Sequence, residues 1–292
     1  MNEATQAFNC GFEFVTNLGE ELNSGNLEIP AFPDVAVRIK NALADPEVTA
    51  EHVARVVGSD PIFSARLLKV ANSAMVNGAG SRITDIRMAV TRMGFKMAYN
   101  TAVAIAVDQL LHSSSVEVLR PYLEDLWHHS MNVGALSYVI AKKLTKINPD
   151  EAMLAGLLHD IGKYYILTRS EQYPVLFSEP RMLDDIMKKW HSSIGRKILE
   201  TWNFNEDTIK AAHEHEILDR MHFGPANLSD VVMIANLFSQ NEEPHPPTDL
   251  DWETIPAMKR LEITDETASE IIEESRQQIQ SIIQALESPG AS

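Results

Sequence analysis

The amino-acid sequence predicts an all-α fold: a helical bundle in two packed helical subdomains, followed by a C-terminal amphipathic helix. Three observations predict it. Apolar residues recur at intervals of three and four, sustained period-two runs of Val, Ile and Thr are missing, and short clusters of Asp, Asn, Pro or Gly separate the periodic stretches. The 292 residues are 45% hydrophobic and 23% charged, enough apolar material to bury a core.

Residues 1–26 read as an N-terminal helical extension and residues 27–115 as the first subdomain. Its clearest element opens at Asp60-Pro61, where a capping side chain precedes a proline suited to the first turn. Ile62, Ala65, Leu68 and Ala71 share one face, and the helix should close near Asn72-Ser73. A polar break from His112 to Ser115 divides this histidine-poor half from the second subdomain, residues 116–240. There the spacing predicts helices over Tyr122–Lys143, Met182–Thr201, Glu206–His215 and Ser229–Ser239. Another opens at Asn148-Pro149-Asp150 and turns Met153, Leu154, Leu157, Leu158 and Ile161 inward. It should end at Gly162, where a left-handed cap would fit, leaving His159 and Asp160 in its last turn.

Residues 241–262, with Pro244, Pro246, Pro247 and several acids, read as a linker. In residues 263–292, Ala268, Ile271, Ile272, Ile279, Ile282, Ile283 and Leu286 form a stripe opposite a Glu- and Gln-rich face. That helix is expected to pack on its own domain; the alternative is pairing with a second copy in a homo-oligomer.

The net charge of −16 repels phosphate backbones, so no nucleic-acid partner is expected. Arg82, Arg87, Arg92 and Lys96 recur at four- and five-residue spacing, but Asp85 lies among them, and they read as a solvated helix face. No apolar run approaches the roughly 20 residues of a membrane span, and the opening residues lack a positively charged leader. The expectation is a cytoplasmic protein without a membrane partner. Cys10 is the only cysteine, so a metal would have to be held by histidine and carboxylate.

His129, His159, Asp160, His191 and His213 lie on four predicted helices, and a bundle of those helices can gather them around one or two divalent ions. One His-Asp pair alone is more often a hydrogen-bonded structural group than a ligand; the set is what points to metal. Nitrogen and oxygen donors without sulfur suit iron, manganese, zinc or magnesium. In such hydrolytic chemistry the ion lowers the pKa of bound water and polarises a phosphoryl oxygen, while Lys163 neutralises the phosphate. Residues one apart on a helix diverge by about 100° and residues two apart by about 200°, so one of His128 and His129, and one of His213 and His215, should face the site. We take His129 and His213, with His215 as the alternative to the latter.

Several stretches resemble the HDOD domain, the HD-related output domain of bacterial signalling proteins, itself similar to HD-type metal phosphohydrolases. In the first half these are Ile29-Pro30-Ala31-Phe32-Pro33, the Asp60-Pro61 helix with Leu67-Leu68-Lys69-Val70-Ala71-Asn72-Ser73, and Ala89-Val90-Thr91-Arg92-Met93-Gly94. In the second they are Leu126-Trp127-His128-His129-Ser130, Ala155-Gly156-Leu157-Leu158-His159-Asp160-Ile161-Gly162-Lys163, and the His191 helix through Trp202.

The resemblance carries the first metal histidine onto His129, the doublet onto His159 and Asp160, and the later ligands onto His191 and His213. It departs at Ala212-His213, where HD-GYP enzymes pair two histidines, at Asn236, where HD enzymes place a closing aspartate, and in lacking Gly-Tyr-Pro. It implies a signal-transduction module with a degenerate, metal-binding site and a signalling protein as partner. The alternative it implies is a metal-dependent phosphohydrolase of a nucleotide or cyclic dinucleotide, with Asp160 and Lys163 catalytic.

Overall fold

The computed structural model describes residues 3–25, 27–29, 34–78, 80–111, 117–239, 251–264, 266–272, 276 and 280. Among them the regular structure is helical, without a strand. In the first half run α1 (Glu3–Ser24), α2 (Asp34–Leu43), α3 (Ala50–Gly58), α4 (Pro61–Ala71), α5 (Ala74–Asn77), α6 (Ile86–Met93) and α7 (Phe95–Leu111). The second half holds α8 (Arg120–Leu144), α9 (Pro149–Leu158), α10 (Ile161–Ser170), α11 (Pro180–Thr201), α12 (Glu206–Glu214), α13 (Leu228–Phe238) and α14 (Pro256–Arg260). The expected break at His112–Ser115 and most of the Ile29–Pro33 stretch lie outside the described residues.

Local chemistry sets the helix starts. Asp60 accepts from the amides of Ile62 and Phe63 at 2.8 and 3.1 Å, with Pro61 in the first turn, and the helix closes at Asn72 as its spacing predicts. Its buried face differs from the expected one. Phe63, Leu67, Val70 and Ala71 point inward while Ile62 is 57% exposed, because α6 and α7 both press on α4 from the Phe63–Leu67 side.

In the second half, α9 is buried all round from Ala152 to Leu158 and α13 along its whole length, so both must lie inside the bundle. They pack on each other and on α8, with α12 closing over both. The α1 helix lies against α11 and the turn at Pro174–Ser178, and the Tyr165 hydroxyl donates to Glu21 at 2.7 Å. Part of the stretch read as linker is packed: Ile255, Met258 and Leu261 are buried, and Trp252 stacks obliquely on Phe238. In the C-terminal stripe Ala268, Ile271 and Ile272 are buried in the common core; Ile279, Ile282, Ile283 and Leu286 lie outside the described residues.

Two glycine crossings bring the histidine-bearing turns together. At Gly156 an added Cβ would stand 2.8 Å from the Gly134 Cα and 2.8 Å from the Val133 carbonyl oxygen, which fixes the α8–α9 approach. At Gly162 it would stand 1.9 Å from the His191 carbonyl oxygen. Gly162 is therefore the contact point of α10 with α11, not a left-handed cap: the preceding helix stops at Leu158 and a new one starts at Ile161. Backbone cannot yield as a side-chain tip would, so Gly162→Ala should destabilise the fold by about 1–3 kcal/mol. Urea unfolding of the variant beside the wild type measures it.

Candidate metal centre

The turn between α9 and α10 builds the site. His159 follows the last residue of α9 and Asp160 is the N-cap of α10, with the Lys163 amide donating to its carbonyl at 2.8 Å. An N-cap aspartate ordinarily turns its carboxylate onto its own helix. That of Asp160 makes no such bond; it points into the bundle and is fully buried.

Four imidazoles surround that carboxylate. Nε2 of His159 and His129 lie 3.3 and 3.7 Å from Oδ2, and Nε2 of His191 and His215 lie 3.4 and 3.5 Å from Oδ1. The Lys163 ammonium donates to Oδ2 at 2.6 Å. Glu216, on the half-exposed rim, brings Oε1 to 3.7 Å from His191 and 3.9 Å from His215. His128 is exposed.

Sequence reasoning took His213 for the last ligand; the structure brings His215 in instead. Thr208, Ala211 and Ala212 form the buried stripe of α12, and His215 continues it at the next helical step, whereas His213 is turned off it and half-buried. The Nδ1 of His213 is buried without a hydrogen-bond partner, and the residue belongs to neither of the two groups whose donor atoms converge: His129, His159 and Asp160, and Asp160, His191 and His215. Asn236, buried on α13, is close enough to His129 to act on its protonation.

The tautomers follow from the backbone. Nδ1 of His129, His159, His191 and His215 meets the carbonyl oxygens of Ser239, Gly156, Met187 and Ala212 at 3.2, 2.7, 2.7 and 2.9 Å. A carbonyl only accepts, so each Nδ1 carries the proton and each Nε2 presents a lone pair to the cluster. A backbone carbonyl on the far nitrogen is a common way to orient an imidazole toward a metal. Among the described residues, Nε2 of His159 and Oδ1 of Asp160 are buried without a hydrogen-bond partner, and the Nε2 atoms of His191 and His215 face each other at 3.2 Å. Opposed lone pairs beside an unpartnered carboxylate oxygen repel unless a cation lies among them. The donor set thus fits a divalent metal at either of two groups that share Asp160, one with His129 and His159 and one with His191 and His215, and a metal there would supply Lewis acidity.

Burial favours the neutral form of His159, His129 and His191. It pushes His159 down to about 3, against the pull of Asp160, and lowers His129 and His191 in the same direction. For Asp160, burial opposes ionisation, yet the Lys163 ammonium beside it holds it well below the usual carboxylate range. A histidine with a depressed folded pKa contributes stability that is present above its unfolded value of 6.5 and lost as pH falls towards the folded one. Metal-free protein should therefore weaken as pH drops from 6.5 towards 3, with His159 alone contributing about 1.4 kcal/mol per pH unit. Chemical denaturation at a series of pH values reads that slope, and His159→Gln should flatten it.

Above the cluster a pocket of about 240 Å³ is lined by Tyr122, Leu126, His129, Asp160, Lys163 and Met187, among others. It is smaller than the roughly 300–1,000 Å³ of sites that enclose a drug-sized ligand.

Fold and site together define a class: an all-helical bundle with a histidine–aspartate cluster, compatible with a metal, at a helix break. The chain belongs to the HDOD domain family, whose pattern matches residues 29–218. A protein of Shewanella amazonensis SB2B, provisionally described as a metal-dependent phosphohydrolase, is similar in structure with a TM-score of 0.79 and 26% identity, covering 96% of this chain and 100% of that one. An HDOD domain protein of unknown function from Geobacter sulfurreducens has a TM-score of 0.67 and 24% identity, covering 94% of this chain and 98% of that one. An uncharacterized protein of Treponema pallidum (strain Nichols) is 26% identical over 260 residues, 82% of this chain and 49% of that protein. The chain thus spans about half the length of the curated relative it matches. None of the described helices is long and apolar enough to cross a membrane.

Proposed function

We propose that this chain is a signal-transduction module of the cytoplasm. Its histidine–aspartate centre holds a divalent metal for a regulatory purpose and passes its state to a signalling protein partner, without phosphodiester turnover. The observation that carries this reading is the neutral Asn236, buried on α13 on the His129 side of the centre. HD enzymes place a closing aspartate there, and a neutral amide removes one of the anionic ligands that hold metal ions close to a reacting phosphate.

The Shewanella amazonensis relative keeps the phosphohydrolase alternative specific: a nucleotide phosphate entering the pocket would meet Lys163 and the Asp160 centre. Metal analysis of protein purified without chelator, then turnover of a model phosphodiester and of cyclic dinucleotides with manganese or iron, separates the two. Metal without turnover is expected. Hydrolysis that disappears in Asp160→Asn would overturn the regulatory reading.

A further inference from the structure

We infer that the centre takes a single divalent ion, in the half formed by Asp160 Oδ1, His191, His215 and Glu216, because Lys163 already serves as the cation of the other half. The inference rests on the metal-binding reading above and sharpens it to one position.

The two oxygens of Asp160 are not equivalent. Oδ2 faces His129 and His159 and holds the Lys163 ammonium at 2.6 Å, a charge-assisted bond of nearly ideal length. The lysine is tethered three residues along the same helix, so it cannot drift away as a free ion would. The remaining member of that half, Asn236, brings no charge. One carboxylate oxygen with a resident ammonium beside two neutral imidazoles and an amide offers little to a second dication.

On the other side the balance reverses. Oδ1 is buried without a hydrogen-bond partner among the described residues. Two Nε2 lone pairs oppose each other at 3.2 Å, both protonated on the far nitrogen by the contacts of His191 and His215 with backbone carbonyls. A second carboxylate, Glu216, stands at the rim, 43% exposed and within 4 Å of both rings. Two imidazoles and two carboxylates make a nitrogen–oxygen donor set, of net charge −1 once the Lys163 ammonium on Asp160 is counted, suited to zinc, iron or manganese. Glu216 lies just past the end of α12, where the chain leaves for an outer loop with Met221 and Phe223 exposed, so a bound ion would tie that loop to the core.

The test is metal stoichiometry of the full chain by mass spectrometry, with an anomalous-scattering map and amide hydrogen exchange of residues 216–224. One ion per chain beside His191 and His215 is expected, with those amides protected on loading. Glu216→Gln should weaken affinity by about tenfold or more and remove the protection. The double variant Lys163→Met with Asn236→Asp should take up a second ion. Two ions in the wild type, or one beside His129 and His159, would overturn this assignment while leaving the metal reading intact. A folded wild type that binds no ion would overturn both.

Discussion

Asp160→Asn should abolish the response of this protein to metal while leaving its fold in place. All four imidazoles and Lys163 converge on this one carboxylate, and removing its charge takes away the anion shared by every donor of the centre. An ion present at 100 times its dissociation constant stabilises the wild type by about 2.7 kcal/mol. For a domain of this size that is a rise in Tm of about 5–10 °C. The variant should show no rise, and its chelator-treated Tm should lie somewhat below that of the metal-free wild type, because the amide keeps the volume but leaves the Lys163 ammonium without its anion. Thermal scans with and without manganese or zinc, read by circular dichroism, give the comparison. A variant that still gains stability from metal would mean that the ion sits elsewhere.

Much of this centre was legible beforehand, and the remainder failed for identifiable reasons. His129 and His191 could be read because each sits on a long periodic helix, and His159 and Asp160 because they close an apolar run whose end Gly162 marks. The choice between His213 and His215 turned on the phase of a nine-residue helix, too short for its charged face to stand out. The usable signal was the pair Ala211-Ala212, whose small buried side chains mark the inner stripe that His215 continues. Glu216 carried no signal at all, since an acidic residue after a helix end is ordinarily solvated. Gly162 misled for a different reason. A glycine after a helix suggests a left-handed cap, but here the absence of a Cβ serves an approach of two backbones, and that depends on a helix, α11, about 20 residues further on. The folded part of the supposed linker was hidden likewise, because its prolines say where a helix cannot run and nothing about what Trp252 and Met258 will pack against.

The fold should be most sensitive at a residue outside the metal centre. Asp230 is completely buried at the start of α13 and gathers a second charge cluster: Arg260 at 2.8 and 3.2 Å, Arg220 at 3.3 Å, His222 at 2.7 Å and the Asn227 amide at 2.9 Å. Burial works against its charge, but Arg260, Asn227 and His222 outweigh it and hold the carboxyl below its ordinary range. Asp230→Ala leaves two guanidinium groups, each only 13% exposed, without their shared anion. Breaking a buried pair in this way costs about 3–5 kcal/mol, a large share of the 5–15 kcal/mol that holds a domain together. Urea unfolding should show that loss, and Asp230→Ala with Arg260→Met should be less destabilised than Asp230→Ala alone, since the second change removes one stranded cation. An additive double variant would show that the two residues do not interact. The cluster also anchors the chain on both sides of the metal centre. Arg220 ties the loop after Glu216 to Glu214 and Asp230, and Asp230 begins the helix that carries Asn236 to His129. In Asp230→Ala the loop is held at one end only, so metal affinity should fall along with stability, whereas Gly162→Ala disturbs the His191 side and leaves the loop anchored.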